Sequence, residues 1–298
     1  MSAWKADRLL PGFEAMEFAF ADDYDGRVTS TLVRLPAGDA PRGAVLYVHG
    51  FVDYFFQRHM AERFAAEGYA FHALDLRKYG RSLLHHHHAN FCRSLAEYDA
   101  DLTAAIDAIG APVLLAAHST GGLTCSLYAA HGARRNDIRA LWLNSPFFDW
   151  NVPAFKRAQL GIAALTGRAF PFLSDNKGLH PAYGRSLHRE FGGEWDYDLR
   201  LKPLKGFPVY FGWVGAVLAG QAKVHAGLDI QCPVLTMHSD EADIVLDWRH
   251  IAKWGRTLGS QASVLAFPGG FHDLVLSRQE IREAVFRELF AWAARVPG

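Results

Sequence analysis

Three residue types at three places in this chain could together carry out acyl transfer: Ser119, His272 and an acidic residue near position 240. Ser119 lies in Ala117-His118-Ser119-Thr120-Gly121-Gly122, between the apolar run PVLLAAH (112–118) and the helical stretch LTCSLYAAHG. A serine between a strand and a helix start is the setting of a nucleophile elbow, a strained turn that lifts a hydroxyl above a sheet. The turn needs small residues two positions to either side, because side chains there would collide. Gly121 and Gly122 meet that need on one side, while Ala117 is one methyl larger than the usual glycine on the other. The Thr120 N–H, at the positive end of the following helix, would face a developing oxyanion. A second N–H is expected from Phe51 in His49-Gly50-Phe51, which follows the run GAVLYVH (43–49). His49 itself reads as a structural hydrogen-bonder.

A serine nucleophile needs a base. His272 stands in FPGGFHDLVLS (267–277), on a Gly-rich loop after the last apolar run. Neutral imidazole there can accept the serine proton and return it to the leaving group. The chain has 15 histidines, so position rather than residue type singles this one out. For the acid, MHSDEADIV (237–245) offers Asp240, Glu241 and Asp243. A buried carboxylate would fix the imidazole tautomer and stabilise the imidazolium. Asp243 is preferred because Ile244-Val245 reads as chain turning back into structure; Asp240 is the alternative. Tyr54, His118, Phe147 and Trp213 are candidates for the substrate pocket, although Tyr54-Phe55-Phe56 reads equally well as helix core.

These residues must be held by a scaffold. Residues 15–20 and 28–35 read as a pair of strands, followed by apolar runs at 43–49, 69–75, 112–118, 139–145, 233–239 and 262–268. Runs that are apolar almost throughout suit strands covered on both faces, and their alternation with amphipathic stretches predicts a mainly parallel sheet with helices on both sides. Ser94/Glu97 and Ser277/Glu280 both have the spacing of a helix capping box. The rhythm stops from about 147 to 228, where Gly, Pro and aromatic residues crowd in, and resumes at Ile230. The expected organisation is one core domain, 1–146 with 229–298, and an insertion at 147–228 lying over the C-terminal ends of the strands as a lid.

Bulk properties exclude little else. The 298 residues are half apolar, and 31 acidic residues balance 31 basic ones, so nothing points to nucleic acid or a strongly charged partner. The N-terminal stretch lacks the apolar segment of a secretory signal, and no run approaches the length of a membrane span. Cys92, Cys125 and Cys232 are odd in number and widely spaced, which reads as reduced thiols in a cytoplasmic protein. His85-His86-His87-His88 reads as an exposed loop, since consecutive residues converge poorly on one ion. Asp75 and Arg77 read as structural ion-pairing residues. No cofactor and no metal are expected.

The residues resemble the α/β-hydrolases of the lysophospholipase and monoacylglycerol-lipase group, which are serine aminopeptidase-like. The resemblance rests on HGFVDYFFQ (49–57), ALDLRKYGRS (73–82), LAEYDADL (95–102), AHSTGG (117–122), GEWDYDLRLKP (193–203), CPVLTMHSD (232–240) and PGGFHDLVLS (268–277). It implies the α/β-hydrolase fold and a triad of Ser119, Asp243 and His272, with the Phe51 and Thr120 N–H groups as oxyanion donors. The order Ser…Asp…His is that of the family. Two departures stand out: Ala117 in the elbow, and an acid loop, HSDEAD, one residue longer than the commoner H-G-x-x-D. The expected activity is hydrolysis of small-molecule carboxylic esters with an apolar acyl group, with transient lipid or membrane-surface contact through the lid. A peptidase or amidase using the same triad, or a non-catalytic binding protein, are the alternatives. Oligomeric state is not legible.

Overall fold

A computed structural model describes residues 3–38, 41–175 and 179–296. The strands are β1 (Lys5–Ala6), β2 (Glu14–Ala19), β3 (Thr29–Arg34), β4 (Gly43–Val48), β5 (Tyr69–Asp75), β6 (Val113–His118), β7 (Ile138–Asn144), β8 (Ser174–Asp175), β9 (Val209–Tyr210), β10 (Val234–His238) and β11 (Ala262–Ala266). The helices are α1 (Arg58–Ala66), α2 (Asp99–Ile109), α3 (Thr120–His131), α4 (Ala154–Ala169), α5 (Ala182–Leu187), α6 (Phe211–Ala226), α7 (Trp248–Gly255) and α8 (Gln279–Ala293). All eight strands expected from the sequence form. The short β1 and the β8–β9 pair are additions, each of two-residue strands with no pattern to announce them.

Nine strands make one sheet in the order β1-β2-β3-β5-β4-β6-β7-β10-β11. β1 to β3 are antiparallel, β3 pairs antiparallel with β5, and every pairing from β5 to β11 is parallel. This is the α/β-hydrolase fold. Alternate strand residues feed two cores. Leu46 and Val48 of β4, Leu115 and Ala117 of β6, and Leu141 and Leu143 of β7 pack with α2, α3, α6 and α7 on one face. Val45, Tyr47, Leu114, Ala116, Ala140 and Trp142 face α1 and α8 on the other. The chain leaves β4 to one side for β5 and crosses back to the other for β6. The strand order therefore reverses between β4 and β6, and a crevice opens where their C-terminal ends diverge. Residues 49–53 and 118–120 lie at that crevice.

The two capping signals have different outcomes. Ser94 and Glu97 form a reciprocal box at the 3-10 turn Leu95–Tyr98, which leads into α2. The Ser277/Glu280 box does not form. Ser277 Oγ instead accepts from the Phe271 N–H, holding the loop that carries His272, and α8 starts at Gln279 without a side-chain cap.

Two histidines, the buried His72 and the half-buried His59, tie stability to pH. Burial pushes His59 and His72 each down from 6.5 to about 4, partly offset by backbone carbonyls. Between those values the unfolded chain binds protons that the folded chain excludes, so stability is full above pH 6.5 and falls as pH drops toward 4. Each should account for a loss of about 2 kcal/mol or more. Urea midpoints measured across that window should fall, and His59→Gln with His72→Gln should flatten the slope. An unchanged slope would contradict the assignment.

Candidate active site

The site is built where β6 meets α3. Ser119 has φ 53° and ψ −117°, a strained conformation for a residue with a side chain. The turn is held from both sides: the Ser119 N–H donates to Asn144 O, and the Phe147 N–H donates to Ser119 O. A Cβ on Gly121 would collide with His49 O and stand 2.8 Å from Val48 O, and one on Gly122 would stand 2.7 Å from Pro146 Cβ. Ala117, by contrast, is buried among core residues, so its extra methyl is accommodated. Gly121→Ala should therefore destabilise the protein by roughly 3 kcal/mol or more. Gly161→Ala, on α4 where a Cβ meets nothing within 4 Å, should stabilise it by up to about 1 kcal/mol. Urea midpoints for the two variants shifting the same way would contradict this.

His272 Nε2 lies 3.0 Å from Ser119 Oγ, and His272 Nδ1 lies 2.9 Å from Asp243 Oδ2. All three residues are buried. Burial would raise the Asp243 pKa, but the adjacent His272 and the Val245 and Leu246 N–H groups on Oδ1 outweigh it and hold the carboxyl below its ordinary value. Asp243 thus stays an anion facing the imidazole. Of its neighbours, Glu241 is exposed, and Asp240 turns away to accept from the Ala242 and Gly269 N–H groups. The longer acid loop is absorbed in a turn closed by the Asp243 N–H to Asp240 O.

The Phe51 and Thr120 N–H groups make no hydrogen bond with the protein among the described residues, and both residues border the cleft above Ser119. Val52, next to Phe51, is a β-branched residue held at φ 51°, which marks the loop as constrained. Gly50 allows this loop to approach: a Cβ there would meet Ser119 Cβ at 3.0 Å and His118 Nδ1 at 3.1 Å. His49 is structural. Burial holds its pKa below 6.5, Nδ1 donates to Gly50 O and Nε2 accepts from the Leu76 N–H.

The cleft measures about 580 Å3 and has two characters. Phe51, Phe147, Trp150 and Trp213 form an aromatic wall, with the Phe51 and Trp213 rings stacked at 4.0 Å. The polar residues Asp53, His118, Tyr183 and Lys202 line it as well. Of the four pocket candidates, His118, Phe147 and Trp213 line this cleft. Tyr54 does not. It is buried against Phe56, and its hydroxyl accepts from the Asp198 N–H. Phe55 and Phe56 are core as well.

Asp53 and Lys202 were not singled out from the sequence, although both lie in stretches that carry the family resemblance. Lys202 Nζ lies 2.6 Å from Asp53 Oδ1. Burial opposes ionisation of Asp53, but Lys202 foremost, and then His118, bring its pKa down to about 2. Tyr183, on α5, packs edge-on against the His272 ring at 5.6 Å, and its hydroxyl accepts from the Asp273 N–H. Asp273 Oδ1 in turn accepts from Asn144 Nδ2.

The remaining sequence features are structural. Asp75 accepts from Arg81, and Arg77 pairs with Asp101 at 2.6 Å, so each has a partner other than its neighbour. His85 and His86 are exposed, and the following histidines pack on the 23–27 turn through Arg27 O and Asp25. The three cysteines are free. No helix of the described residues is long and apolar enough to cross a membrane.

A family model described as "Serine aminopeptidase, S33" matches residues 39–279. A soluble variant of the monoglyceride lipase of Saccharomyces cerevisiae, solved with a substrate analogue, is similar with a TM-score of 0.73 and 20% identity over 95% of this chain and 97% of that one. The monoacylglycerol lipase of Paleococcus ferrophilus gives 0.69 and 23% over 88% and 97%. Est1E from Butyrivibrio proteoclasticus, solved with ferulic acid, gives 0.58 and 17% over 99% of both chains. At these identities the likeness is one of fold. No curated protein sequence matches.

Proposed function

The chain belongs to the serine aminopeptidase family of α/β-hydrolases, and from that premise we propose that it cleaves carboxylic esters with an apolar acyl group, such as monoacylglycerols or lysophospholipids. The observation that carries this reading is the hydrogen-bonded chain Ser119–His272–Asp243 opening onto an aromatic-walled cleft. His272 takes the Ser119 proton as Oγ attacks the carbonyl carbon, and Asp243 stabilises the imidazolium. The Phe51 and Thr120 N–H groups receive the oxyanion. Collapse of the tetrahedral intermediate expels the alcohol, which takes the proton from His272 and leaves an acyl-enzyme. Water attacks that acyl group by the same route.

The insertion from 147 to 228 acts as a lid over this cleft, supplying Trp150, Tyr183, Lys202 and Trp213 to its walls. The outer side of α4 exposes Phe155, Ile162 and Leu165, with Lys156 and Arg168 exposed beside them. Such a surface suits contact with an anionic lipid layer. An amine-recognising peptidase is disfavoured, because the Asp53 carboxylate beside the elbow is already engaged by Lys202.

Parallel assays on p-nitrophenyl esters graded by acyl length and on matched amides test the substrate class. Ester turnover should exceed amide turnover, and kcat/KM should rise with acyl length before the 580 Å3 cleft is filled. Faster amide cleavage would replace this reading with a peptidase.

A further inference from the structure

One buried corner touches every part of the reaction centre. Asp53 stands two residues after Phe51, His118 immediately precedes Ser119, and Asp273 immediately follows His272. His118 Nδ1 lies 3.7 Å from Asp53 Oδ2 and 3.9 Å from Asp273 Oδ2, and one side-chain polar atom from each of the three residues lies within 4.8 Å of the other two. Among the described residues, Asp53 Oδ2, His118 Nδ1 and Asp273 Oδ2 have no hydrogen-bond partner, although their residues are no more than 4% exposed. Two carboxylate oxygens and an imidazole nitrogen cannot be buried bare without a cost of several kcal/mol. The separations are too long for direct hydrogen bonds, yet they leave room for one shared partner about 2.8 Å from each. A water fits: it donates one hydrogen to each carboxylate and accepts from His118 Nδ1–H, completing the two-to-four bonds typical of internal water. A divalent cation fits poorly, because the Lys202 ammonium already stands on Asp53.

Resting on the reading of this site as a serine hydrolase, we infer that Asp53, His118 and Asp273 enclose one ordered water, and that His118 is a positioning residue locking the oxyanion loop to the loop of the base. The corner is also where the insertion attaches: Lys202 ends on Asp53, and the Tyr183 hydroxyl ends on the Asp273 N–H. The bridge therefore holds the Phe51 N–H, Ser119 Oγ and His272 Nε2 in one geometry and makes that geometry depend on the seated insertion. A misplacement on the order of 1 Å among such groups costs about 10²-fold in rate.

The test replaces His118 two ways. His118→Asn keeps an N–H donor where Nδ1 stands; His118→Leu removes it. With ester substrates, His118→Leu should lower kcat by about 10- to 100-fold with little change in KM. His118→Asn should stay within roughly fivefold of the unmodified protein. Equal loss in both variants, or no loss in the leucine variant, overturns the inference. A high-resolution crystal structure tests it independently of activity. Density for a water bonded to all three atoms supports it, and a metal ion or a direct His118–carboxylate bond overturns it. If the unmodified protein neither turns over esters nor labels at serine, the hydrolase reading has failed, and the crystallographic result still decides the bridge.

Discussion

Ser119→Ala should lower kcat for p-nitrophenyl esters by about 10⁴- to 10⁶-fold while leaving the fold intact. The size of the effect follows from the geometry. Ser119 Oγ is the atom 3.0 Å from His272 Nε2, in the lining of the cleft together with Phe51 and Thr120, whose N–H groups have no partner among the described residues. Removing that oxygen leaves a base with nothing to deprotonate but water. The fold should not suffer, because the turn is held by backbone bonds to Asn144 and Phe147 rather than by the hydroxyl. Circular dichroism and urea midpoints should match those of the unmodified protein. Undiminished turnover by a folded Ser119→Ala variant would remove Ser119 from the mechanism.

The second large effect separates two aspartates three residues apart. Asp243→Asn should cost about 10³- to 10⁴-fold in kcat, because an amide facing His272 Nδ1 no longer stabilises the imidazolium and favours the wrong tautomer. Asp240→Asn should stay within about twofold, since the Asp240 carboxylate makes no bond to His272 and an amide oxygen can still accept from the Ala242 N–H, the Ser239 hydroxyl and the Gly269 N–H of the facing loop. Equal losses would mean that the loop, rather than the Asp243 carboxylate, matters. A reversal would make Asp240 the acid. Protonation gives the same result by another route: because its partners hold the Asp243 pKa below the ordinary value, the anion persists into acid, and the loss of rate on acidification should precede its titration.

Much of this was legible in the sequence, for physical reasons that can be named residue by residue. Doubly covered strands must be apolar throughout, so β4, β6, β7 and β10 announce themselves within a residue or two of their ends. Ser119 and His272 follow from position relative to those strands. Where the pattern is short or the determinant is tertiary, the sequence is silent. β8 and β9 are two residues each. Ser277 has the spacing of a cap, yet its hydroxyl is taken by the Phe271 N–H across the loop. Tyr54 sits beside the oxyanion loop in the chain, but its side chain packs in the core against Phe56 and its hydroxyl meets the Asp198 N–H. The pairing of Asp53 with Lys202 joins residues 149 positions apart, and no local periodicity encodes it. The choice between Asp240 and Asp243 turned on which carboxylate meets an imidazole 29 positions later, a distance only the folded loop sets.

A nucleophilic Ser119 activated by His272 can be detected by treating the folded protein with a fluorophosphonate probe and mapping the modified residue by peptide mass spectrometry. One adduct is expected, on Ser119, formed with the unmodified protein and slowed by at least about 10²-fold in His272→Ala. Absence of labelling in protein shown to be folded, or an adduct on another residue, would contradict it.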